Sequence, residues 1–141
     1  MARITDIADA VVAAMNGHTF SQAFTAARAY RPVFELQDMK DLRVTVVPKA
    51  VELTTAGRGL AQSDVQIDIG VQKKLADTDD AEIDALMGLV QEIADLIRAT
   101  GRFGDAAWIK TDNAPIYSQE HLGDLRQFTS VLTLTLRVMT S

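Results

Sequence analysis

Two segments of this chain alternate with a period of two, and that period limits the fold more than any other feature. In Asp64–Gln72, the residues Val65, Ile67, Ile69 and Val71 alternate strictly with Asp64, Gln66, Asp68, Gly70 and Gln72. In Gln127–Met139, Phe128, Ser130, Leu132, Leu134, Leu136 and Val138 share one face, and Gln127, Thr129, Thr133, Thr135 and Arg137 share the other, with Val131 and Met139 as exceptions. Successive side chains of a strand point to opposite faces, so each segment predicts a strand with one buried face and one wet face. That is the pattern of an antiparallel sheet covered on one side only.

The remaining elements fit around those strands. Ile4, Ile7, Ala8, Val11, Val12 and Met15 form one apolar stripe, predicting a helix over Thr5–Asn16 that Thr5 caps and Asn16-Gly17 ends. Asp79 followed by Glu82 opens a second helix that Thr100-Gly101 closes. Its stripe is Ile83, Leu86, Met87, Val90, Ile93, Ala94 and Ile97. Leu89 and Leu96 fall beside that stripe and widen it, either to pack within the subunit or to meet another subunit. Strands are expected over Phe24–Phe34, with Pro32 at an edge or end, over Arg43–Pro48 with an extension to Thr55 after a kink, and around Ala107–Lys110. A short helical turn is expected at Gln37–Asp41. The segment Ala56–Ser63 has the glycine and polar content of a loop. The expectation is one α+β domain over residues 1–141: a mostly antiparallel sheet of about five strands with two helices on one face, in the order α-β-β-β-α-β-β. Residues 51–62 would form a flexible hairpin arm.

Composition narrows the function. A chain of 141 residues is long enough to bury a core without staples, and the absence of cysteine excludes disulfides and thiolate metal sites. The net charge of −5 does not suit a general nucleic-acid binder, which needs a positive footprint. No apolar run has the length of a membrane helix, and the start of the chain does not read as a signal peptide, so cytoplasmic synthesis is expected.

No catalytic constellation is evident, and neither an enzyme nor a cofactor is expected. His18 and His121 lack the company a metal site requires. Asp77, Asp79, Asp80, Glu82 and Asp84 lack the glycine turn of a calcium loop and suit the positive end of a helix. Gly57-Arg58-Gly59 lacks the lysine and hydroxyl residue that follow in a phosphate loop. Surfaces, rather than chemistry, are expected to carry the function.

The segments Tyr30-Arg31-Pro32-Val33-Phe34, Leu42-Arg43-Val44-Thr45-Val46-Val47-Pro48, Gln66–Lys74 and Arg126–Thr135, with the length and order of elements, resemble the tail terminator family of tailed phages and prophages, which includes the terminator of phage lambda. The resemblance implies a subunit that forms a ring, commonly six-fold, at the head-proximal end of the tail tube. Such a ring ends tube polymerisation and presents a surface to the head or neck. It would be made in the host bacterial cytoplasm and kept in the virion. The implied partners are other copies of the chain, the tail tube protein and a head-completion or neck protein, with DNA only passing through the lumen and no membrane. Another head–tail connector, neck or tail-completion role is the alternative, and a small enzyme or ligand-binding domain is a third reading. Thr55, Arg58, Leu60, Leu89 and Leu96 are the candidate interface residues. Asp64 and Asp68 are the candidate lumen-facing residues, placed to keep phosphates off the wall.

Overall fold

A computed structural model describes residues 4–29, 42–75, 80–114, 116–118, 122 and 127–140. It is an α+β fold with two helices and a six-stranded mixed sheet. The elements are α1 (Ile4–Asn16), β1 (Ala26–Arg28), β2 (Arg43–Gly57), β3 (Leu60–Lys74), α2 (Asp80–Thr100), β4 (Arg102–Phe103), β5 (Ala106–Asp112) and β6 (Gln127–Thr140). Across the sheet the strands run β1-β2-β3-β6-β5-β4. All pairs are antiparallel except β1–β2, where Ala26, Ala27 and Arg28 lie beside Val44, Thr45 and Val46.

Both helices bury their stripes against one face of this sheet. Ile7, Ala8, Val11 and Met15 of α1 and Leu86, Leu89, Val90, Ile93 and Ile97 of α2 join one cluster with Val44, Val46, Val65, Ile67, Ile69, Val71, Leu132, Leu134 and Leu136. Each large apolar side chain removed from water here contributes about 1.5–3 kcal/mol, which makes this layer the source of most of the stability. The helix ends are set locally. The amide of Gly17 donates to the Ala13 carbonyl at 3.0 Å, and Gly101, at φ 70°, donates to Ile97 at 3.1 Å. The left-handed conformation at Gly101 is the usual way for a helix to stop. Side chains then tie helices to sheet. The Asn16 carboxamide donates to the Ala26 carbonyl at 3.1 Å and accepts from the Ala26 amide at 2.8 Å. Ser21 donates to the Glu92 carboxylate through both its amide and its hydroxyl.

Several expectations are corrected. The sheet has six strands rather than about five, because Gly104 at φ 63° turns Arg102–Phe103 back onto Ala106 and Ala107 as an extra short hairpin. One pair is parallel, which the alternation of single strands does not encode. The expected loop Ala56–Ser63 is instead strand on both sides of a tight turn at Arg58 and Gly59. β2 and β3 stay paired from Arg43↔Gln72 out to Gly57↔Leu60, and β6 follows β3 as far as Ala61↔Thr140. The expected hairpin at residues 51–62 is present, and it forms the outer end of a ladder that β6 joins on the β3 side. The kink at Pro48 is present as a register shift between Pro48 and Ala50. Proline cannot donate to the ladder, and Lys49, which has no opposite residue in the register, absorbs the break. Of the expected strand Phe24–Phe34, residues 26–28 are strand; Pro32, the turn at Gln37–Asp41 and the Asp79 cap lie outside the described residues.

Candidate functional site

The strand register lines up the side chains of the face opposite the helices in rows. Arg43, Gln72 and Thr129 form one row, Thr45, Gly70 and Val131 the next, and Val47, Asp68, Thr133 and Asp112 a third. Beyond the bulge come Ala50, Gln66, Thr135 and Lys110, then Glu52, Asp64, Arg137 and Ala107, then Thr54, Gln62 and Met139. Strand alternation predicts a wet face here. At the end nearest the start of β2 it is not wet: Gln72 is 1 % exposed, Gln127 0 % and Thr45 and Thr129 5 %.

Further along, the face carries paired charges. Arg137 donates from Nε to Asp64 Oδ1 at 2.9 Å and from Nη2 to Asp64 Oδ2 at 3.2 Å, a fork that matches carboxylate geometry. The Arg137 hydrogen bond, offset in part by desolvation, holds the Asp64 carboxyl below its ordinary value of 3.8. The same contact raises Arg137. Thr133 donates to Asp68 at 2.7 Å, with Lys49 Nζ 3.8 Å from the same oxygen. Lys110 lies 3.4 Å from Asp112. Asp64 and Asp68 thus do lie on one face, but each has a cation beside it. A wall that repels phosphates needs an unbalanced negative field, and these two pairs reduce it.

The outer end of the ladder differs. Among the described residues six large apolar side chains are exposed, and four of them, Val51 (48 %), Leu53 (69 %), Leu60 (43 %) and Met139 (50 %), lie on its last few rungs. The other two are Ile109 and Ile116. Thr55 and Arg58 are exposed at the same end, so three of the residues singled out from sequence, Thr55, Arg58 and Leu60, come together there. Leu89 does not join them: it is wholly buried in the core, which removes it as a surface residue, and Leu96 is half-buried against that core. On a helix covered by a broad sheet, the flank of the stripe is still interior. Sequence reasoning misses Val51, Leu53 and Met139. Val51 and Leu53 alternate with Glu52 and Thr54 in the expected strand extension to Thr55, but alternation alone does not say that their side of the strand is uncovered. An open groove of about 510 Å³ runs between Val51 of this end and Asp64 and Lys110 of the paired charges, lined also by Ala50, Glu52, Gln66 and Thr135.

The other sequence features take structural places. Gly57-Arg58-Gly59 joins strand to strand, so no helix N-terminus faces it to hold a phosphate. Glu82, in the first turn of α2, pairs with Lys73 at 2.9 Å. His18 is exposed and sits edge-on to Phe20 at 4.6 Å, while His121, Asp77 and Asp79 lie outside the described residues. Among the described residues no three His, Asp or Glu side chains converge, and no helix is long and apolar enough to cross a membrane. The chain matches no protein-family model, and no curated protein is significantly similar to it.

Proposed function

We propose that this chain is a structural ring subunit of a phage-type tail, acting as a tail terminator at the head-proximal end of the tube. The observation that supports this reading best is the outer end of the β2–β3–β6 ladder, where Val51, Leu53, Leu60 and Met139 are exposed together. Val51 and Leu53 lie on the helix side of the sheet and Met139 on the other, so both sides of this end carry apolar side chains that are costly in water and mark a contact surface. Regular hydrogen bonding holds them in place, so the contact meets a partner with little ordering cost. A ring closes by a heterologous contact in which one patch of each copy meets a different patch of the next. The partners in this reading are other copies of the chain, most simply six, then the tube protein below and a head-completion or neck protein above. DNA only passes through the centre.

The test is the assembly state of the purified protein, alone and mixed with the tube protein, by light scattering and negative-stain microscopy. Closed rings with an open centre, free or seated on tube ends, are the expected result. A protein that stays monomeric and leaves tube length unchanged would sink the reading. A second protein carrying Leu53→Asp and Met139→Asp locates the contact. Both positions are exposed, so folding survives while rings are lost; rings that persist in this variant move the contact elsewhere.

A further inference from the structure

The buried polar end of the second sheet face carries an inference independent of the ring. Gln72 is 1 % exposed, yet neither its amide nitrogen nor its amide oxygen has a hydrogen-bond partner in the protein. Thr45, one row along and 5 % exposed, likewise has a hydroxyl without a partner. Each of these atoms is hydrated in the unfolded chain, and leaving it dry opposes folding. The glycine between them explains the geometry. Gly70 stands opposite Thr45, and a Cβ at Gly70 would lie 3.0 Å from the Thr45 hydroxyl oxygen. With no side chain there, a small cavity opens, with about 10 Å³ of space for the centre of a water-sized sphere. Its lining includes Thr45, Asp68, Gly70, Gln72 and Thr129, so several polar groups face it.

We propose that one buried water molecule occupies this cavity and bridges the Gln72 carboxamide to the Thr45 hydroxyl, joining β3 to β2. The volume is about that of one water probe and the walls supply more than two polar partners, which are the two requirements for a lodged water. Nothing larger fits, and the burial of both groups keeps the surface of another protein from reaching them. The alternation of β3 puts a polar residue at this position, and burial then leaves its amide without solvent. The water is what makes that glutamine compatible with burial, and it turns this end of the face into an interior layer.

Two measurements test the site. In isotope-labelled protein, water-to-protein nuclear Overhauser effects at the Gln72 side-chain amide and the Gly70 backbone amide report a water of long residence. Clear cross-peaks at both are expected, and their absence overturns the proposal. The sign of a thermal shift gives the second test. If the site is dry, Gln72→Leu removes two unsatisfied atoms and raises Tm. If the water is present, Gln72→Leu strands it and lowers Tm. Thr45→Val should then cost less Tm in the Gln72→Leu background than alone; a higher Tm for Gln72→Leu, or strictly additive shifts, overturns the bridge.

Discussion

The strands β2 and β3 have two ends built on the same ladder but set in opposite surroundings. At the root, Val44, Val46, Ile67, Ile69 and Val71 are buried under both helices. At the tip, Val51 and Leu53 project from the same side of β2 as Val44 and Val46, the bulge at Lys49 having preserved the face, yet they are exposed. Alternation is therefore not burial. A strand decides which side a residue faces, and the neighbouring layer decides whether that side is covered. On the rungs of Val51 and Leu53 the covering layer still buries Val65, Leu136 and Val138 of β3 and β6 but leaves β2 bare, so similar side chains stabilise the fold in one place and are free for contact in the other.

Four substitutions sharpen or break this contrast: a matched pair at root and tip, then two others in decreasing order of effect. Ile67→Ala opens a cavity in the core and should cost about 2–5 kcal/mol in urea unfolding. Leu53→Ala, its counterpart at the tip, should stay within about 0.5 kcal/mol; equal losses at the two positions would show that the tip is covered in the free protein. Asn16→Ala strips both hydrogen bonds from the backbone of Ala26, which is 3 % exposed and flanks the root. Its expected cost is about 1–3 kcal/mol by the same measurement, because two buried backbone groups lose their partners. Gly59→Ala tests the tip turn. Gly59 has φ 74°, and a Cβ added there would meet nothing within 4 Å, so backbone conformation alone supplies the penalty. That penalty is about 1–2 kcal/mol. A smaller loss would mean that the turn relaxes without disturbing the root.

The smallest effect concerns acid. The Asp64 carboxyl is held below its ordinary value of 3.8 in the folded protein, mainly by the Arg137 hydrogen bond. A depressed folded-state pKa contributes stability that is full above the unfolded value and fades as pH falls through the folded one. The contribution is therefore present at neutral pH and lost in the acid range below 3.8. The pair is solvent-accessible and the effect correspondingly modest. Asp64→Asn should flatten the acid limb of a stability–pH curve and leave the neutral limb nearly parallel. An unchanged acid limb would show that the pair contributes nothing.

Much of the framework is legible in the chain itself. The stripe of Ile7, Val11 and Met15, the stripe of Leu86, Val90, Ile93 and Ile97, and the alternation around Ile67 and Leu134 each predict their element and buried face, because those periods are written in adjacent residues. The candidate surface is half legible. Thr55, Arg58 and Leu60 do fall at the tip, but the sequence offers Arg58 and Leu60 as members of a loop, since the glycines at positions 57 and 59 read as flexibility when they mark a single turn. The expectation of a surface role for Leu89 fails because a helical wheel gives a direction but not the width of the sheet that meets it.

Local periodicity and residue type are enough to set the helices, the alternating strands, the apolar side of each strand and the absence of disulfides. Tertiary structure settles the strand order, the parallel pairing of β1 with β2, the partnership of Asp64 with Arg137, the burial of Gln72 and Thr45, and the exposure of Leu53 and Met139. Each of those depends on which distant segments become neighbours. Register between strands far apart in the chain, and the limited reach of two helices over one long sheet, set that neighbourhood.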